Sequence, residues 1–233
     1  MKIVPTYIDK RAATVDIPYP EAEPAHLKLD VPMGRIMLDP GAGESIISGK
    51  VTYNIEEFKP TYSVKGRTVQ IRQRQRFLFP IGVKFVNDWE FMLGDASPFS
   101  LEVNTGAAQA ELNLGGIPLT GLTAESGAGD LAVNFDMPNP ARIKQAKIST
   151  GAGRATLKGL LNANVERLKI GAGVGQFIAH FTGAGLIESG KVRIDGGVGG
   201  FAGGVNVVPQ LARRFANGDG HRGIAIEVVP IPR

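Results

Sequence analysis

The sequence predicts an all-β fold: a single-stranded β-solenoid, stacked from two-strand coils of 20–26 residues each, with short capping elements at both ends. Three observations predict it. A pattern of apolar-x-apolar-x-x-Gly-Ala-Gly, with an apolar residue six places after the first Gly, returns along Leu101 to Val207. The chain's 31 glycines cluster in that region, where tight turns must recur. A second turn signal falls 8 to 12 residues after the leading Gly of a copy, at Gly115-Gly116, Pro138-Asn139, Gly159 and Thr182-Gly183.

The copies anchor on Gly106, Gly127, Gly151, Gly171 and Gly197, with a sixth standing apart at Gly41; these six glycines are the expected structural turns. Three places before them lie Leu38, Val103, Ala124, Ile148, Leu168 and Ile194. Five places before lie Ile36, Leu101, Leu122, Ala146, Glu166 and Val192, with Glu166 the one misfit. Gly183-Ala184-Gly185 imitates the pattern but fails its register, so it reads as the opposite corner. Coils laid on one another give continuous apolar ladders, which no single strand pair of this size can bury alone. An antiparallel sandwich is the rival, and the shared register across five copies favours the stack.

The chain reads as one domain in four parts. Residues 1–26 form a proline- and charge-rich N-terminal arm, and 27–100 hold N-terminal strands with a packing segment, Phe77 to Trp89. Residues 101–208 are the repeat coils. In 209–233 a short helix across 210–222, ended by Gly218, precedes a closing strand at Ile224 to Val229. Within the second part, strands are expected at Leu27 to Leu38, Val51 to Ile55, Thr61 to Val64 and Thr68 to Arg76, with a tight turn at Lys65-Gly66.

Composition narrows the function. With 43% hydrophobic and 21% charged residues the chain has the make-up of a soluble globular protein. There is no cysteine, which excludes disulfides, thiolate catalysis and cysteine-based zinc sites. Met1 to Tyr19 lack the apolar core of a signal peptide, and no window is apolar enough for a membrane helix, so the chain as written reads as soluble. Net charge is +4, a mild basic excess.

Each candidate for chemistry has a structural competitor. Gly171-Ala172-Gly173-Val174-Gly175 looks like a dinucleotide loop, but the residues after it alternate like a strand, where a pyrophosphate site needs a helix N-terminus. Gly127-Ala128-Gly129-Asp130 invites calcium, yet the equivalent places in other copies include Gln109 and Arg154, and an arginine cannot ligate a cation. No metal and no cofactor are expected. His26, His180 and His221 lie far apart and no Gly-x-Ser-x-Gly elbow exists, so no catalytic residue is assigned. Paired carboxylates of a polysaccharide-cleaving β-helix would come from Asp130 and Asp136, or from Asp88, Glu90 and Asp95. Arg72, Arg74 and Arg76 share one strand face and make an anion-facing patch, for phosphates or an acidic membrane surface; the competing reading is the charged outside of an edge strand. Aromatics are not interleaved there, and no nucleic acid is expected.

The copies Leu101-Glu102-Val103-Asn104-Thr105-Gly106, Leu122-Thr123-Ala124-Glu125-Ser126-Gly127-Ala128-Gly129-Asp130 and Val192-Arg193-Ile194-Asp195-Gly196-Gly197-Val198-Gly199 resemble a bacterial family. It comprises the toast-rack domain, the C-terminal domain of cell-wall-active-antibiotic-response (LiaF-type) proteins and related adhesin-type β-repeat proteins. The likeness runs from about Leu27 to Val208. It implies a stacked all-β fold at the cell envelope, stress signalling through protein contacts, and no catalytic residues. The expectation is a non-enzymatic scaffold with protein partners and self-association through sheet edges or stack ends. The alternative is a polysaccharide-binding or polysaccharide-cleaving β-helix.

Overall fold

The computed structural model describes residues 9–73, 84–183, 190–196, 206–207, 212–217 and 223–228. In chain order the strands are β1 (Arg11–Pro18), β2 (Ala25–Pro40), β3 (Ser45–Tyr53), β4 (Pro60–Lys65), β5 (Thr68–Gln73), β6 (Asn87–Leu93) and β7 (Phe99–Asn113). They continue with β8 (Leu119–Asn134), β9 (Ala146–Lys158), β10 (Arg167–Phe181), β11 (Gly190–Gly196), β12 (Asn206–Val207), β13 (Ala212–Asn217) and β14 (Gly223–Val228). The one helical piece among the described residues is a 3-10 turn, Glu56–Phe58.

Strands β2, β7, β8, β9, β10 and β11 lie side by side, parallel and in register. The sheet forks at its N-terminal end because β2 is long enough to carry two neighbours. Its first half pairs with β5, which pairs with β4; its second half pairs with β6, then β3, then β1. The expected N-terminal arm therefore contains a strand. At the other end β11 takes β14, and β14 takes β13, both antiparallel.

Each coil contributes two strand segments, and the two are halves of one continuous strand. Gly106, Gly127 and Gly151 sit inside β7, β8 and β9, not between strands. The bend falls two places later, at Gly129 (φ +113°), Gly153 (φ +123°) and their neighbour Gly175 (φ +138°), and hydrogen-bonded pairing continues on both sides of it. A residue with positive φ turns the chain sharply, and only glycine adopts that conformation without strain.

The apolar columns then run across the strands. Leu27, Leu101, Leu122, Ala146, Leu168 and Val192 are in register and buried, as are Leu29, Val103, Ala124, Ile148 and Ile170. Beyond the bend run Ile36, Ala110, Leu131, Ala155 and Phe177, then Leu38, Leu112, Val133, Leu157 and Ala179. In the column of Ile36, Ala110, Leu131, Ala155 and Phe177 small residues alternate with large ones. That alternation keeps a coil of fixed width filled at interior density. Trp89, on β6, closes the N-terminal end of this core and is fully buried against Phe91 at 5.7 Å between ring centroids.

Pairing corrects two anchors of the repeat. Gly173, not Gly171, is the counterpart of Gly151, because Ile170 pairs with Ile148 and Gly171 with Ser149. The shift of two removes the Glu166 misfit, since Leu168 takes its place in the column. Gly41 is not a copy: it lies in the turn between β2 and β3, and the bend of β2 is at Pro32-Met33-Gly34, opposite Gly106-Ala107-Ala108. Gly197 lies outside the described residues. The helix expected across 210–222 is also overturned, for Ala212–Asn217 is strand β13. Its residues satisfy their backbone groups against the closing strand, with Phe215 opposite Ile226, and that long-range pairing overrides a local helical pattern of one turn or two.

Candidate interaction surfaces

The outer face of the parallel sheet carries an ordered polar mosaic. Between the buried leucines of β2, residues His26, Lys28 and Asp30 point outward, beside Ser100, Glu102 and Asn104 of β7. His26 Nδ1 lies 2.8 Å from Ser100 Oγ, and its Nε2 lies 3.4 Å from Glu102 Oε2. Lys28 Nζ donates to Glu102 Oε1 at 2.6 Å, and Asn104 Nδ2 donates to Glu102 at 2.8 Å and to Asp30 at 2.9 Å. Gln70 on β5 donates to the other oxygen of Asp30 at 2.8 Å. One strand further, Lys147 pairs with Glu125.

Serine, histidine and carboxylate stand here in the order that nucleophilic catalysis uses. The setting differs from a hydrolase site. The face is an open sheet whose backbone N–H groups are committed to ladders on both sides of β2 and β7, and the side-chain donors beside it, Lys28, Gln70 and Asn104, are engaged with Glu102 and Asp30. What the network does is clamp neighbouring coils.

Electrostatics follow from that clamp. Burial, the largest single influence on Glu102, opposes ionisation, but hydrogen bonds from Lys28 and Asn104 outweigh it and hold the carboxyl below its usual range. The hydrogen bond to Glu102 raises Lys28 above the ordinary lysine value. A depressed carboxyl contributes stability that is present above its unfolded pKa and lost as pH falls through the folded one. A raised lysine contributes below its unfolded pKa and loses that contribution as pH rises through the folded one. Glu102→Gln is therefore expected to cost about 0.5–1 kcal/mol at neutral pH, after screening of a partly exposed pair. Urea midpoints across pH check it: the gap from the parent should close as pH falls below the glutamate range.

The anion-facing patch is placed only in part. Arg72 is exposed on β5, between buried Ile71 and Gln73, and sits in register with Asp30. Arg74 and Arg76 lie outside the described residues, as does His221. His180 is half-buried between buried Ala179 and Phe181.

Among the carboxylates considered for polysaccharide chemistry, Asp88 and Glu90 share the outward face of β6 two residues apart, each held by a cation, and the others are dispersed. Asp88 and Asp130 both line an open depression of about 880 Å³ at the bend, with Arg35 and Gln109 between them. They are separated by three strand spacings, through Arg35 and Gln109, and so stand about 14 Å apart. Glycosidase pairs work at about 5–9.5 Å. Asp88 is held by Arg35 at 3.4 Å and Glu90 by Lys50 at 3.0 Å, while Asp95 and Asp136 are exposed on separate turns.

The remaining surface feature is an edge. Strand β4 pairs only with β5 among the described strands, and Tyr62 and Val64 on it are 63% and 48% exposed. No helix among the described residues is long and apolar enough to cross a membrane.

A family model described as the N-terminal domain of toast_rack, DUF2154, matches residues 8–158, from the approach to β1 through the end of β9. The chain belongs to the toast-rack family. In the toast-rack fold seen here, the matched region spans both N-terminal attachments and the coils of β7, β8 and β9. The chain is similar to a solved structure of a putative cell adhesion protein from Clostridium sporogenes, at 19% identity and TM-score 0.61, covering 82% of this chain and 97% of that one. It is also similar to a putative adhesin from Bacteroides fragilis, at 13% identity and TM-score 0.33, covering 85% of this chain and 98% of that one. No curated protein matches. At 19% identity the likeness to the Clostridium sporogenes structure concerns the fold alone.

The mosaic around His26 and Glu102 was not found from sequence. Its signal was present as alternating polar residues between Leu27, Leu29 and Val31, but partners 74 residues away become visible only once β2 is registered against β7.

Proposed function

We propose that this toast-rack chain is a non-enzymatic interaction domain of the bacterial cell envelope that acts in stress sensing or regulation through contacts with protein partners. The observation that carries this reading is the edge at β4, whose outer side takes no partner among the described strands and where Tyr62 and Val64 stand exposed. An exposed edge strand is a template onto which an extended segment of another protein adds as one more strand. The stack behind it, clamped coil to coil, supplies a rigid mount. The family supports a scaffold in place of a catalyst, and the adhesion name borne by the Clostridium sporogenes structure fits a surface role.

The test is affinity capture from native envelope extracts with the parent chain and with Tyr62→Lys/Val64→Lys. Charged residues on an edge oppose strand addition. A protein retained by the parent and lost from the double variant, with unchanged thermal melting, is the expected result. Identical retention by both chains refutes the edge as the docking strand.

A further inference from the structure

The hairpin of β4 and β5 restricts what its outer side can accept. Gly66, at φ +56°, and Arg67 form a two-residue turn that sets Lys65 opposite Thr68. Such a turn closes on a hydrogen-bonded pair, and bonded pairs then recur at every second residue. Lys65, Ser63 and Thr61 therefore direct their main-chain groups at β5, while those of Tyr62 and Val64 point outward. Pro60 adds a carbonyl without an N–H.

The two faces of β4 differ. Residues opposite one another in a ladder share a face, so Tyr62 stands beside Ile71 and Val64 beside Val69. Ile71 and Val69 are fully buried, and Tyr62 and Val64 carry that apolar face one strand past the margin of the core. The other face holds Thr61, Ser63 and Lys65, with Arg72 opposite Thr61 and Arg67 in the turn. Arg72 is in register with Asp30 on β2, and Lys59, just before β4, follows Glu57 by two residues. Lys65 and Arg67 are exposed and belong to no ion pair among the described residues.

Given strand addition at β4, on which this step rests, we infer that the added strand is an extended acidic segment in which apolar and acidic side chains alternate. Its apolar residues stand opposite Tyr62 and Val64 and widen the buried face. Its carboxylates share the other face with Lys65 and Arg67. Opposite charges on neighbouring strands attract, and like charges directly opposite are destabilising. The same rule disfavours a second copy of the chain. An antiparallel pair of β4 strands that sets Tyr62 against Val64 would bring the Lys65 and Arg67 side chains of both copies onto one face. Lysine at a sheet edge guards against that kind of self-pairing.

The test is fluorescence anisotropy of the full chain with labelled synthetic peptides. One alternates valine and glutamate, one alternates valine and lysine, and one has the first composition with its valines adjacent. The valine-glutamate peptide is expected to bind, and to bind more weakly as salt rises. The lysine peptide should bind about tenfold more weakly, and loss of the alternation should abolish binding. Lys65→Glu/Arg67→Glu should reverse the preference between the two alternating peptides while melting as the parent does. An unreversed preference overturns the inference, as does equal binding of the alternating and rearranged peptides. Sedimentation velocity of the chain alone should show a monomer. A dimer that is lost in Tyr62→Lys/Val64→Lys overturns the inference by giving the edge to a second copy. If no peptide binds while capture from envelope extracts still depends on Tyr62 and Val64, strand addition stands and the acidic pattern falls.

Discussion

Gly153→Ala is expected to destabilise the protein by about 3–4 kcal/mol, read as a fall in the urea midpoint at unchanged m-value. Two costs combine. At φ +123° a side chain strains its own backbone, and a Cβ built there meets the carbonyl oxygen of Gly129 at 2.0 Å. Neither partner has room to give way. Gly129 is itself stacked on Ala108, whose oxygen lies 2.1 Å from where a Cβ on Gly129 would stand, and Gly175 stacks on Gly153 at 1.9 Å. Displacing one coil therefore displaces its neighbours. Gly66→Ala is the control: its φ is +56°, nothing lies within 4 Å of an added Cβ, and the cost should be only about 1 kcal/mol of left-handed strain. Equal losses in the two variants would mean that the bend is not closely stacked.

That contrast also explains what could be read from sequence. The columns from Leu101 onward were legible because one face of every strand is buried and the chain repeats, so apolar residues return at fixed distances from the glycines. The first coil was hidden because Pro32-Met33-Gly34 keeps only the last glycine of the pattern, the one that lies in line with Gly129 and Gly153. Gly41 imitates it, since Ile36 and Leu38 stand five and three places before Gly41, although register sets them in the columns of Ala110 and Leu112 beyond the bend. In the fifth coil, Gly171-Ala172-Gly173-Val174-Gly175 contains two overlapping Gly-x-Gly triplets, and the charged Glu166 that the first would place in an apolar column marks the second as the true copy. Strand β13 was misread for a different reason. Its partner, β14, sits after it in the chain and imposes extended pairing that no local pattern announces. The polar mosaic of His26, Lys28 and Glu102 likewise depends on register between distant strands, which spacing within one strand does not reveal.

The side of the coil opposite the bend depends on a different device, and it carries the other large effect. Asn139 is buried in the return from β8 to β9. Its Oδ1 accepts from the N–H of Leu119 and of Ala141, both at 3.1 Å, and its Nδ2 donates to the carbonyls of Leu119 at 2.9 Å and Ala163 at 3.3 Å. One side chain thus ties three successive coils, where strand pairing has lapsed. Asn139→Ala leaves two N–H groups and two carbonyls without this partner, and about 3 kcal/mol should be lost. Asn139→Asp has nearly the same shape and should cost more at neutral pH, because a carboxylate would face two carbonyl oxygens in a buried site. Burial and those carbonyls push the pKa of such an aspartate above its unfolded value. Its penalty is then smallest below the ordinary aspartate range and grows as pH rises through the raised folded value. Urea melts of both variants between about pH 3.5 and 7 separate the two effects. The alanine gap should be flat with pH, and the aspartate gap should widen toward neutrality. An aspartate variant that follows the parent at every pH would show that Asn139 does not bridge the coils through its amide.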